Sequence, residues 1–108
     1  MPLPDSITEY FDLMEGSDKT RTIRVFAPDA QVTDDGHRYR GHDEILAWLS
    51  SVASEYVTTA RQLSTAATDT GAIVVVRLEG NFPGGRVDLT HSFDLTLSGA
   101  IDRLAIAP

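Results

Sequence analysis

The chain has 108 residues, 42% apolar and 23% charged, with no cysteine and a formal net charge of -7, which reads as one soluble globular domain over 1–108. The acidic balance argues against nucleic acid or an anionic membrane surface as partner, since both need clustered Lys and Arg, and the lack of cysteine excludes disulfides, thiolate chemistry and Cys-ligated zinc. The first residues have no basic segment followed by an apolar run and no stretch is long enough to span a bilayer, so a cytoplasmic protein is expected.

Ser6 with Glu9 three residues on is a capping-box signal. Ile7, Tyr10, Phe11 and Met14 follow at i, i+3, i+4 and i+7, one apolar stripe of a first helix that Gly16 ends. A second short helix is expected after Ser17, turning Ile23 and Phe26 inward. Pro28 stops it, because the residue before a proline is pushed out of the helical region. "DAQVTD" (29–34) reads as a short extended piece, "DDGH" (34–37) as a tight reversal and "RYR" (38–40) as a return strand. Gly41 and Asp43 open a third helix, with Ile45, Trp48, Leu49 and Val52 on its buried side.

From Tyr56 onward the pattern changes. "YVTTARQLSTAAT" reads as a long, weakly patterned strand, "DTG" as a turn, "AIVVVRLEG" as a second strand and "NFPGG" as a loop. "RVDLTHSFDLTLSG" is the clearest strand, and "AIDRLAIAP" closes an antiparallel sheet. In the clearest strand Val87, Leu89, His91, Phe93, Leu95 and Leu97 share one face by parity, while Asp88, Thr90, Ser92, Asp94 and Thr96 share the other. His91 thus stands in the middle of an inward, apolar row. A buried imidazole needs a hydrogen-bond partner, so either the core supplies one or the row lines a cavity.

His37 and His42 lack the spacing of a metal site. The glycines before Arg86 lack the strand-to-helix context of a phosphate loop, and no serine sits in a nucleophile-elbow pattern. Asp34 is either a turn aspartate bonding its own backbone or a carboxylate facing a pocket. Asp35 suits the bend better.

The order of elements, with "LMEGSDKTRTIRVFAPDAQVTDD" (13–35) and "YRGHDEILAWL" (39–49) as its most specific parts, resembles the SnoaL-like and ketosteroid-isomerase-like branch of the NTF2-like superfamily over nearly the whole chain. The resemblance implies an α+β, cone-shaped NTF2-like (cystatin-like) fold. In it a curved antiparallel sheet wraps around three N-terminal helices and an apolar pocket opens between them. Dimers through the outer sheet face are common in such families. The isomerase pattern has a first-helix tyrosine donating to a developing oxyanion and an aspartate at the end of the first short strand moving the proton. Here these positions are Tyr10 and Asp34. Where that pattern sets a second carboxylic acid on a late strand, this chain has His91, and dehydratase relatives pair His with Asp.

Phe11, Met14, Phe26, Trp48, Leu89 and Phe93 are expected to line the pocket. The implied function is proton transfer with neither cofactor nor metal, as isomerase or as polyketide cyclase or dehydratase, on a polycyclic or aromatic carbonyl compound. Asp34 or His91 takes the proton and Tyr10 stabilises the enolate oxygen. The expected partners are a small hydrophobic molecule and a second copy of the chain. The alternative is a non-catalytic ligand-binding or dimerisation module of the same fold.

Overall fold

In the computed structural model, which describes residues 3–108, the chain runs through α1 (Asp5–Met14), a 3₁₀ helix (Lys19–Val25), β1 (Phe26–Asp34), β2 (His37–Arg40), α2 (Gly41–Ser50), a 3₁₀ turn (Val52–Ser54), β3 (Thr58–Ala67), β4 (Gly71–Gly80), β5 (Arg86–Leu95) and β6 (Ile101–Ala107). The strands form one sheet in the order β2-β1-β6-β5-β4-β3. All neighbours are antiparallel except β1 and β6, which are parallel. The helices pack on one face of this curved, unclosed sheet, as in the α+β cone fold.

α1 buries Ile7, Tyr10 and Phe11, the stripe its spacing predicts. Its start differs from the expected capping box. Pro4 is the N-cap, and its carbonyl accepts from the Ile7 and Thr8 N–H groups at 3.0 and 3.1 Å. Ser6 is already inside the helix, so its hydroxyl cannot cap; Ser6 Oγ is buried without a partner, and Glu9 pairs with Arg24 instead. Asp18 caps the 3₁₀ helix by accepting from Thr20 N–H at 3.1 Å. That helix turns Thr22 and Val25 inward, three residues apart as its pitch requires. Phe26 is buried from the first position of β1, not from the helix, and Ile23 is only partly buried.

β1 runs through Pro28, which has no N–H for the ladder, and its pairing with β6 shifts register between Phe26 and Gln31. Asp35 (φ 51) and Gly36 (φ 78) both lie in the left-handed region, the requirement of a tight two-residue hairpin turn. Asp34 therefore remains on the strand, paired with His37, and Asp35 makes the bend. α2 buries Ile45, Trp48 and Leu49. Val52 falls beyond its end and is 49% exposed rather than on the buried side.

β3 is an edge strand, exposed from Arg61 onward and bulged between Gln62 and Ser64. The alternation of β5 holds through Leu95 and then stops. A turn closes with Thr96 N–H donating to Ala100 O at 2.8 Å, so Leu97 sits fully exposed at its tip, not inward. Among the described residues no helix is long and apolar enough to cross a membrane.

Candidate functional site

The sheet register builds the floor of the site. Asp34 pairs with Ile106, Ile106 with His91, and His91 with Val74, so these four residues form one row across β1, β6, β5 and β4. The Asp34 and His91 backbones are two strands apart, about 10 Å, with Ile106 between them. Val74 and Ile106 are buried on the helix side of the sheet, which sets the row's inward sense. Along β5 the same face continues from His91 to Leu89 and Val87, opposite Val76 and Leu78 of β4.

Above this floor lies a cavity of about 370 Å³, within the range that takes one drug-sized ligand. Tyr10, Asp34 and His91 all line it, together with Phe11, Met14, Trp48 and Leu89. The exposed Glu15, Val52 and Pro83 and the half-buried Tyr56 and Phe82 form its rim. Tyr56 and Phe82 pair there at 5.9 Å between ring centres.

Each polar side chain has a distinct setting. Trp48 Nε1 donates to Asp34 Oδ2 at 3.1 Å, so α2 holds the carboxylate that β1 delivers. Tyr10 comes down from α1 and is 2% exposed. Burial first, and the charge of Asp34 second, raise its hydroxyl pKa well above the usual phenol range, so it stays a donor at neutral pH. His91 is packed among rings, with Phe11 at 5.4 Å, Phe93 at 6.1 Å and Tyr10 at 6.2 Å. Burial pushes its imidazole down to about 4, against a smaller pull from the Leu89 backbone, so the ring is neutral at pH 7. Its Nδ1 is buried with no hydrogen-bond partner.

Phe26 and Phe93, expected on the wall, are buried behind it and do not line the cavity. Both stack edge-on against Tyr10, which lines the cavity, at 6.1 and 5.4 Å. Lys19, Tyr56, Phe82 and Ile106 are lining residues that the sequence reading did not select. The Ile101–Leu104–Ile106 pattern of β6 carried a signal for Ile106, whereas the other three come from separate turns that only the fold brings together. Among the described residues no three His, Cys, Asp or Glu side chains cluster as metal ligands. His42 Nε2 lies 3.0 Å from Phe26 O, tying α2 to β1.

A family model described as a SnoaL-like domain matches residues 7–99. A candidate polyketide cyclase of Sinorhizobium meliloti is 36% identical, superposes with a TM-score of 0.89, and the alignment covers 97% of this chain and 95% of that one. The Δ5-3-ketosteroid isomerase of a Mycobacterium species shares the fold at a TM-score of 0.82 and 17% identity, over 99% and 94% of the two chains. A Catenulispora acidiphila protein of ketosteroid-isomerase-like fold does so at 0.85 and 14% identity, over 99% and 87%. No curated protein sequence matches the chain.

Proposed function

The chain belongs to the SnoaL-like domain family, and on that footing we propose that it is a cofactor-free proton-transfer enzyme acting on a polycyclic or aromatic carbonyl compound. The observation that carries this reading is that Asp34, Tyr10 and His91 line one and the same apolar cavity. A ring system lying over Ile106 spans the roughly 10 Å between the Asp34 and His91 backbones. Asp34 then takes a proton from the carbon beside the carbonyl. Tyr10 donates to the oxygen as it becomes an enolate, a contact that strengthens as charge develops. The proton returns to another carbon in an isomerisation, or a hydroxyl leaves with it as water in a dehydration.

Asp34, not His91, is the base in this reading. Protonating Asp34 neutralises a charge, whereas protonating His91 creates one among Phe11, Phe93 and Tyr10, where burial already holds the imidazole down to about 4. His91 serves as a neutral side chain of the cavity wall, with its Nδ1 buried out of a ligand's reach. General acid–base groups of this kind contribute about 10²–10⁴-fold and a placed oxyanion donor about 10²–10³-fold.

The rival reading, a non-catalytic ligand-binding or dimerisation module of the same fold, draws support from His91 standing where the isomerase pattern has its second carboxylic acid. Ligand-detected NMR with a panel of steroid and aromatic polyketide ketones, followed by deuterium uptake beside the carbonyl, separates the two. Binding with uptake is the enzyme's result, and binding without uptake is the rival's.

We infer further that two copies associate through the outer sheet face. Ile73, 38% exposed, stands there in a row with Ala66, Ser92 and Ala105, small neighbours that let a second sheet approach. Ile73→Glu is expected to convert a dimer to a monomer in sedimentation equilibrium. A wild type that is monomeric at all concentrations refutes the inference.

A further inference from the structure

The cavity wall is mostly aromatic and aliphatic, yet one lysine belongs to it. Lys19, at the start of the 3₁₀ helix, is the one Lys or Arg among the lining residues. Its Nζ donates to Ala53 O at 2.7 Å. That bond anchors the ammonium to the 3₁₀ turn at Val52–Ser54 and leaves further N–H donors for a ligand. Among the described residues it has no ion-pair partner; the pairs are Arg24–Glu9 and Arg77–Asp88. Glu15 also lines the cavity, but its Oε1 accepts from the Ala60 N–H at 2.9 Å on the edge strand. Partial burial pulls the Lys19 pKa below its ordinary value, the mark of an ammonium that has lost water without gaining a counter-charge.

The cavity is thus electrically asymmetric. Asp34 repels an anion at the floor, and the protein as a whole carries -7. An acidic group on a ligand has one favourable neighbour, the Lys19 ammonium. We propose that Lys19 determines specificity, selecting ligands that carry an organic anion, a carboxylate or its equivalent, and orienting them with that group at Lys19 and the carbonyl ring at Asp34 and Tyr10. The proposal rests on the reading of the cavity as a ligand site. It narrows the substrate class from carbonyl compounds in general to keto acids with a ring system.

Two fluorescent probes with one skeleton test it. 8-Anilinonaphthalene-1-sulfonate carries an anion, and N-phenyl-1-naphthylamine lacks it. Lys19→Met is expected to weaken the sulfonate probe by about tenfold or more, the range for a hydrogen bond to a charged group, and to leave the neutral probe within about twofold. Lys19→Arg is expected to retain most of the sulfonate affinity, because it keeps the charge. An equal loss of both probes means that Lys19 only pins Ala53, and an unchanged sulfonate affinity means that it reads no anion; each overturns the proposal. A wild-type protein that binds neither probe removes the cavity reading and this proposal together. Binding of the neutral probe together with a sulfonate affinity that does not change in Lys19→Met removes this proposal alone and leaves the cavity reading standing.

Discussion

His91 makes the stability of the protein depend on pH, and the dependence can be worked from the structure. Its imidazole is 5% exposed and titrates at about 4 when folded, against 6.5 for a free histidine. The folded state binds the proton less well than the unfolded chain. Its contribution is therefore complete above pH 6.5, is lost as the pH falls toward 4, and levels off below that. At 1.36 kcal/mol for each unit, the full displacement corresponds to about 3 kcal/mol. Roughly two-fifths of it is gone by pH 5.5 and about three quarters by pH 4.5. Carboxylates also begin to titrate there, so the comparison needs a variant without the imidazole. His91→Phe keeps a ring against Phe11, Phe93 and Tyr10 and removes the unpartnered Nδ1. Urea unfolding of both proteins at pH 7.5, 5.5 and 4.5 should give free energies that diverge by those amounts as the pH falls. At pH 7.5 the variant should be at least as stable as the wild type, since a buried unsatisfied group costs about 1–3 kcal/mol. Parallel pH profiles for the two proteins would refute the buried, neutral imidazole and the role given to it.

Trp48→Phe keeps an aromatic ring, though a smaller one, and deletes the Nε1 donor to Asp34. It should cost about 1–2 kcal/mol in urea unfolding and slow any exchange reaction by letting the carboxylate swing. Gly71→Ala would place a Cβ 2.1 Å from the Phe93 carbonyl oxygen, a backbone clash expected to destabilise by about 1–3 kcal/mol or more in the same assay. Phe93→Ala should cost about 3–5 kcal/mol because Phe93 is 2% exposed. Leu97→Ser, at an exposed tip on the same strand parity, should stay within about 0.5 kcal/mol of wild type.

That last pair marks where periodicity stops being a guide. The alternation of 87–97 predicts Leu97 inward, but parity holds only while the strand is paired, and Thr96 leaves the ladder to close a turn. For His91 the same argument holds, because its neighbours on both sides stay in register with β4 and β6. Asp34 and Asp35 were separable for a local reason. The Asp-Gly pair at 35–36 supplies two left-handed residues, and the residue before it must end the strand. Ser6 misled because a proline two residues earlier had already set the helix start. Phe26 and Phe93 point inward as their positions suggest, yet depth in a core is not visible in parity, and both pack against the lining Tyr10 without lining the cavity themselves. Lys19, Tyr56 and Phe82 reach the cavity from distant segments, and no local pattern in the sequence encodes their meeting.

The central claim is that Asp34 moves a proton inside this cavity. It is tested most directly by proton NMR of 1-tetralone in deuterated buffer, following loss of the signal at the carbon beside the carbonyl. The account predicts exchange well above the buffer rate with wild-type protein. With Asp34→Asn it predicts exchange slower by at least about 10²-fold, while the ketone still binds and urea unfolding shows an intact fold. Equal exchange by wild type and Asp34→Asn, or a wild type that binds the ketone and exchanges nothing, contradicts it.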